Sequence, residues 1–239
     1  MGLNGPEQDL IKALEDAETL IVCLPPKGTS QQFQLVDATS KADIKRLKEA
    51  VYAHIKKTHV PYTIIDTGVW HEFNIPCVPL GKLDHAALMD RIFLVGDGEM
   101  PCATTAIQDI GCFVAHVIVD PRTLNCYIFA YGEHVTQNKY IALAREITGE
   151  DVPYMAVTSK QVLDLAHQPE TAEFTIWQKG GNEASYAKYL GYLEAHDLYA
   201  ELKVKSLEES MREAYAGGKG FAVQVGDESF WTGLEELFV

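Results

Sequence analysis

The hydrophobic residues of the first part of the chain follow two spacings, one typical of helices and one of buried strands. Apolar positions within residues 6–17 recur at helical spacing, and a short apolar run over 19–24 then stops at two prolines. Residues 31–58 again favour a helix, and the β-branched run 60–68 ends at a glycine. This alternation predicts an α/β fold built on a parallel sheet.

The same patterns continue in the second part of the chain. They predict a helix over 109–119 and a strand over 126–131. Thr136 is a suitable N-cap for a helix over 138–148, which Gly149 would end. From residue 151 onward helical patterns dominate, over 159–167, 182–198 and 206–216.

Composition and charge narrow the functional classes. The 239 residues carry a formal net charge of −14, which argues against a nucleic-acid-binding surface. The five cysteines contain no Cys-x-x-Cys pair, and His71-Glu72 lacks the second histidine of a zinc-protease helix, so no metal site is predicted. No apolar run reaches the ~18 residues that span a bilayer, and the amino terminus has no signal-peptide pattern, which together predict a cytoplasmic protein.

Two segments carry motifs of characteristic order and spacing. The first is Pro61-Tyr62-Thr63-Ile64-Ile65-Asp66-Thr67-Gly68-Val69-Trp70, and the second comprises residues 109–114, 120–125 and 131–138. Both resemble segments of the NmrA-like and isoflavone-reductase-like proteins, an atypical branch of the short-chain dehydrogenases. The resemblance covers roughly residues 2–150.

This resemblance implies a fold, a cofactor and a set of site residues. Residues 1–150 would form a partial, Rossmann-like NADP-binding domain, and residues 151–239 a mostly helical substrate-binding portion. The implied site residues are Lys48 as catalytic residue, Pro25, Pro26 and Gly68 as cofactor contacts, and Trp70 and His71 as substrate contacts. Trp70 and His71 follow a strand end, where open α/β sheets bind ligands, although a packed tryptophan and a solvated histidine are the alternative.

The sequence departs from the family pattern in two places. It has no Gly-x-x-Gly-x-x-Gly turn, and Met1 falls about where the family's third strand ends, so a sheet without its first strands is predicted. The strand at 20–24 would then be an exposed edge, which predicts a homodimer through that edge, or aggregation, rather than a monomer. Around Lys48, one helix is predicted to run directly into the next.

The leading functional hypothesis is an NADP-dependent reductase or isomerase of a small aromatic or polyketide-type metabolite, in a setting of fungal secondary metabolism. Lys48 would handle the proton. The Tyr-x-x-x-Lys spacing of Tyr52 and Lys56 is more simply an exposed helical pair, since about one such match is expected by chance. The alternative hypothesis is a non-enzymatic NmrA-like regulator or an inactive subunit that a partner completes.

Overall fold

The computed structural model describes residues 21, 55–57, 61–80, 83, 92–164, 177, 180 and 182–217. Contacts divide the chain into two compact units, Met1–Tyr62 and Thr63–Val239. Almost all described residues belong to the second unit, whose architecture is given below. The predicted edge strand at 19–24 lies outside the described residues except for Ile21, so the predicted homodimer stays a prediction.

Within its described residues, the second unit contains eight strands and six helices. The strands are β1 (Thr63–Asp66), β2 (Val69–Trp70), β3 (Ile92–Val95), β4 (Cys102–Thr105), β5 (Cys126–Phe129), β6 (Glu133–Val135), β7 (Tyr154–Val157) and β8 (Leu193–Glu194). The helices are α1 (Ile107–Val117), α2 (Gln137–Thr148), α3 (Ser159–Asp164), α4 (Ala184–Tyr189), α5 (Ala195–Leu198) and α6 (Leu207–Tyr215). Short 3-10 turns cover His71–Phe73 and Pro121–Thr123. None of the helices in this part of the chain is long and apolar enough to cross a membrane.

The strands form small sheets in which parallel pairing predominates. One sheet has the order β1-β5-β8, with both pairs parallel. Its last paired row joins Asp66 to Phe129 and Phe129 to Glu194. A second sheet places β4 between β2, which is parallel to it, and β6, which is antiparallel, and β3 pairs in parallel with β7. The predicted α/β fold with a parallel sheet is therefore confirmed.

Strand β5 is buried on both faces, as parallel strands usually are. Ile128 packs with Phe113 and Val117 of α1 in one hydrophobic cluster. Phe129, whose side chain points to the opposite face, packs with Ala103 and with α4. Each large apolar side chain buried in this way contributes about 1.5–3 kcal/mol to stability.

Local sequence signals place the ends of two helices correctly. The side chain of Thr136 accepts a hydrogen bond from the backbone N–H of Lys139 at the start of α2, and Gly149 ends that helix in the left-handed conformation. At the start of α6, Ser206 and Glu209 form a reciprocal capping box. The predicted boundaries of both helices are confirmed to within one residue.

The part of the region after residue 151 that the structure describes contains strands as well as helices. The single helix predicted over 182–198 is wrong, because α4 ends at Tyr189 and the chain turns at Gly191, whose φ is +87°. Residues 193 and 194 then pair with β5, a contact distant in sequence. Strand β7 lies in the same region and pairs with β3. The predicted domain boundary at residue 150 stays a prediction.

Two glycines of this fold predict stability changes of opposite sign. Gly149→Ala should lower the free energy of unfolding by about 1–2 kcal/mol, because φ is +73° there and an L side chain resists that conformation. Gly111→Ala, inside α1 with nothing within 4 Å of an added Cβ, should raise it by about 0.5–1 kcal/mol. Urea unfolding of both variants measures the two changes, and equal signs would contradict the assigned helix end.

Candidate functional site

The carboxyl ends of β1, β5 and β8 form one edge of the three-stranded sheet. Two residues beyond their last paired row lie Gly68, Tyr131 and His196, in that order across the sheet. Ligands of open α/β folds bind at this kind of edge. We therefore take this edge, with the segment that follows β1, as the candidate site.

Gly68, between β1 and β2, lies with its backbone directly against Ala103 of β4. Its φ is +67°, and a Cβ at this position would lie 2.4 Å from the carbonyl oxygen of Ala103. The hydroxyl of Thr105 donates to the carbonyl of Thr67 at 2.6 Å and accepts the backbone N–H of Gly132 at 3.2 Å. This one hydroxyl holds the exits of β1 and β5 together, and only glycine fits between Thr67 and β2.

Trp70 is half-buried and its ring is fixed by the segment that carries it. The indole Nε1 donates to Thr67 Oγ1 at 3.1 Å, and the ring centroid lies 4.9 Å from that of Phe73. These contacts hold the indole beside the end of β1 while part of it stays exposed. Its predicted contact with substrate stays a prediction.

His71 is fully buried, with 0% of its surface exposed, and bridges two elements distant in sequence. Nδ1 lies 2.9 Å from Ser210 Oγ in α6, and Nε2 lies 3.1 Å from Thr104 Oγ1 in β4. Because the Thr104 hydroxyl donates to the carbonyl of Glu133, Nε2 must carry the proton that Thr104 accepts. Nδ1 then accepts from Ser210. A substrate contact by His71 would need this ring to leave its position, and the predicted role stays a prediction.

The surroundings of His71 keep its ring neutral. Burial, and to a lesser extent the positive charge of Lys205, lower the pKa of His71 from 6.5 to about 4. The backbone N–H of Lys205 donates to Asp109 Oδ2 at 2.6 Å, and the backbone N–H of Leu207 donates to Glu133. Two carboxylates thus hold the segment that leads into α6, and α6 in turn holds His71.

Glu72 serves the next helix. Both of its carboxylate oxygens lie 3.2 Å from the backbone N–H of Ile107, the first residue of α1. A carboxylate at a helix amino terminus offsets the partial positive charge there. Burial nevertheless raises the pKa of Glu72 above its ordinary value. The turn after β2 therefore supports both α1 and α6.

Three of the predicted site residues cannot be compared with this geometry, because Lys48, Pro25 and Pro26 lie outside the described residues. The sequence analysis did not single out Tyr131 or His196 as site residues. The exit of β5 was detectable, since a strand was predicted to end at Tyr131. His196 was missed because β8 lay hidden inside a predicted helix.

The sequence and the fold were also compared with those of known proteins. No family model matches the sequence. The chain is 28% identical to the asnovolin J 5′,6′-dehydrogenase of Aspergillus novofumigatus, over 90% of this chain and 78% of the relative. It is 24% identical to a phenylcoumaran benzylic ether reductase of Ginkgo biloba, over 86% of this chain and 69% of the relative.

A solved structure of similar fold is the binary complex of leucoanthocyanidin reductase with NADPH from Vitis vinifera. The TM-score is 0.69 at 20% identity, over 88% of this chain and 82% of the other. Isoflavone reductase has a similar fold as well, with a TM-score of 0.65 at 19% identity, over 89% of this chain and 80% of the other. The Rossmann-like fold expected from the sequence is thereby confirmed.

The buried His71 predicts acid-sensitive stability. A histidine whose pKa is lowered on folding stabilises the protein fully above its unfolded pKa, and that contribution is lost as the pH falls. The free energy of unfolding should therefore drop by on the order of 3 kcal/mol from this residue as the pH falls from 6.5 to about 4. His71→Asn should lower stability by about 1–3 kcal/mol near neutral pH but flatten this acid dependence.

Urea unfolding measured across this pH range tests the prediction. His116→Asn, which removes an exposed imidazole from α1, is the matched control for the loss of one histidine. An acid dependence of the same steepness in His71→Asn and in the unmodified protein would show that His71 is not buried as a neutral ring.

Proposed function

We propose that this chain, which is 28% identical to a fungal dehydrogenase and 24% to a phenylcoumaran benzylic ether reductase, is an NADP-dependent oxidoreductase like the isoflavone-reductase-like proteins that it resembles. Its substrate is a small aromatic or polyketide-type metabolite, and its setting is fungal secondary metabolism. The observation that carries the proposal is the shared carboxyl edge of β1, β5 and β8, with Gly68 at the β1 end of this edge and aromatic side chains beside it. The likeness to a dehydrogenase of Aspergillus novofumigatus supports the setting.

The residues at this edge fit the nicotinamide end of a dinucleotide. Gly68 presents backbone without a side chain, and the half-buried rings of Trp70 and Tyr131 follow β1 and β5. A planar ring with an amide group packs well against aromatic faces and hydrogen-bonds to backbone groups of this kind. The cofactor supplies the hydride when it is bound. By resemblance, Pro25 and Pro26 would contact its remaining part.

The other residues of the site have positioning roles in this proposal. Thr105 keeps the exits of β1 and β5 at a fixed separation, and Gly68 allows β1 to pass close to β4. The His71 bridge fixes the turn that carries Trp70, so the indole is held in one orientation against the ligand. Such rigid support matters because small misplacements of reacting groups lower rates strongly.

Lys48 is the proposed proton-transferring residue, a role that comes from the resemblance alone. A positioned lysine contributes typically about 10²–10⁴-fold to a rate that depends on proton transfer. The proposal therefore separates two properties of the chain. Cofactor binding depends on Gly68 and the proline pair, and Trp70, which was expected from the sequence to contact the substrate, is proposed to lie beside the nicotinamide as well. Turnover additionally depends on Lys48.

NADPH binding by the 239-residue protein is the first test. Isothermal titration calorimetry should give a dissociation constant in the micromolar range for NADPH and weaker binding for NADH. Trp70→Ala should weaken NADPH binding by about two- to tenfold, because it removes an aromatic face worth about 0.5–1.5 kcal/mol, and Trp70→Phe should retain most of the affinity. The absence of NADPH binding by the unmodified protein would reject the proposed function.

Oxidation of NADPH in the presence of aromatic and polyketide-type ketones and enones then tests catalysis. Lys48→Ala should lower kcat by about 10²-fold or more while leaving NADPH affinity within about threefold. Lys45→Ala, which removes a charge from the same segment, is the matched control. NADPH binding without turnover of any compound would instead favour the non-enzymatic regulator.

A further inference from the structure

We propose that Tyr131, His134 and His196 form a substrate subsite that binds the ring of a neutral, hydroxyl-bearing aromatic compound. The inference rests on the proposed function, since it assigns the substrate-binding part of the same sheet edge. None of these three residues was a candidate in the sequence analysis.

The positions of Tyr131 and His196 relate the proposed subsite to the cofactor end of the site. Pairing between β1 and β5 continues one residue past the strands, because the backbone N–H of Ala130 donates to the carbonyl of Asp66 at 2.8 Å. Tyr131 therefore leaves the sheet beside Gly68. His196 leaves it on the other side of Tyr131, two residues after the end of β8. The three chain exits form one continuous row along the ligand-binding edge.

The rings make a rigid aromatic cluster with Tyr131 at its centre. The Tyr131 centroid lies 4.6 Å from that of His134 and 4.7 Å from that of His196, and both pairs are T-shaped. A third neighbour, Phe129, lies at 5.0 Å and is almost fully buried. Aromatic rings favour edge-to-face contacts of this type, so a ligand ring would find the same kind of partner here, and the buried Phe129 gives the cluster a fixed base.

Several polar atoms of the cluster are available to a ligand. The Tyr131 hydroxyl lies 3.5 Å from Glu194 Oε2, which is long for an O–H···O bond. His134 Nε2 accepts the backbone N–H of Ala184 at 3.3 Å, so Nδ1 carries the proton of the neutral ring. Among the residues that the structure describes, neither that N–H nor the ring nitrogens of His196 have a hydrogen-bond partner. A phenolic hydroxyl can both donate to and accept from such groups.

The charges around the cluster select against anionic ligands. Burial lowers the pKa of His134, and the negative charges of Glu183 and Glu194 oppose that effect. Burial, together with the charges of Glu194 and Asp197, raises the pKa of Tyr131. Lys188 offsets part of this charge, since its Nζ lies 3.8 Å from Glu194 and 3.6 Å from Asp197. Since a net negative surrounding repels carboxylate and phosphate groups, the subsite fits a neutral aromatic ring.

The test uses imidazole resonances of the full protein, labelled with ¹³C in its histidines. Guaiacol is the neutral phenol probe, vanillate is its anionic counterpart, and benzylamine tests for a cation site. Guaiacol should shift the Cε1–H signals of His134 and His196 but not that of His116. His116 is an internal control because it contacts a tyrosine ring too, that of Tyr199 at 5.4 Å, on another part of the surface. Vanillate should bind at least about tenfold more weakly.

Variants separate the ring from its hydroxyl. Tyr131→Ala and His196→Ala should each weaken guaiacol binding by about tenfold, and Tyr131→Phe should stay within about threefold. His116→Ala is the matched control and should bind as the unmodified protein does. Circular dichroism verifies the fold of each variant. If Tyr131→Ala fails to fold, guaiacol binding by His196→Gln, together with the imidazole shifts of the unmodified protein, tests the subsite instead.

The possible results distinguish this inference from the proposed function. Absent or equal shifts at all three histidines, or tighter binding of vanillate or benzylamine than of guaiacol, would overturn the subsite. Guaiacol shifts at His134 and His196 in a protein that does not bind NADPH would support the subsite and reject the proposed function. NADPH binding without any guaiacol shift would do the reverse.

Discussion

Parallel pairing of β1 with β5, and of β5 with β8, is the constraint on which the rest of the candidate site depends. Strands that run in one direction bring their carboxyl ends to one edge, and here that edge collects residues from three distant parts of the chain. Gly68, Tyr131 and His196 lie in three separate segments of the sequence. Their proximity exists only because the backbone hydrogen bonds of the ladder align the three exits.

The pairing would be of little use if the segments beyond the strands were loose. Two devices hold them. The Thr105 hydroxyl links the exits of β1 and β5, and the His71 imidazole ties the turn after β2 to both β4 and α6. Both devices use buried polar groups whose donors and acceptors are matched, which makes them specific in geometry as well as favourable in energy. Removing either partner would leave a buried polar atom unsatisfied.

The polar interior also explains why the carboxyl-terminal segment matters to a site formed largely by earlier residues. Ser210 lies on α6, which begins at a capping box and is held by carboxylates from α1 and β6. Ser210, which follows His71 by 139 residues in the sequence, thus hydrogen-bonds to the turn at His71. A local change in α6 would reach the turn beside Trp70 through the His71 imidazole. The aromatic cluster at Tyr131 is anchored separately, through Phe129 in the core.

Some elements of this fold could be predicted from the sequence and others could not. The helix that Thr136 begins and Gly149 ends was predictable, because caps act on the nearest turn of backbone. The α/β class, and a strand that ends shortly before Gly68, were predictable because hydrophobic periodicity and turn residues are also local signals. Strand β8 was not, since two residues after a helical pattern become a strand only when a neighbour such as β5 offers its hydrogen bonds. His71 was predicted to face a ligand because it follows a strand end, yet its ring lies inside.

The sequence by itself determined the fold class, the main helix ends and the family resemblance, because periodicity, caps and motif spacing are properties of neighbouring residues. Only the tertiary structure decided which side chains meet. It buried His71 between Thr104 and Ser210, brought His196 to Tyr131, and made the alanine carbonyl at position 103 exclude any side chain at Gly68. The physical reason is that these contacts join residues far apart in sequence, whose distances are set by strand pairing and core packing rather than by local conformation.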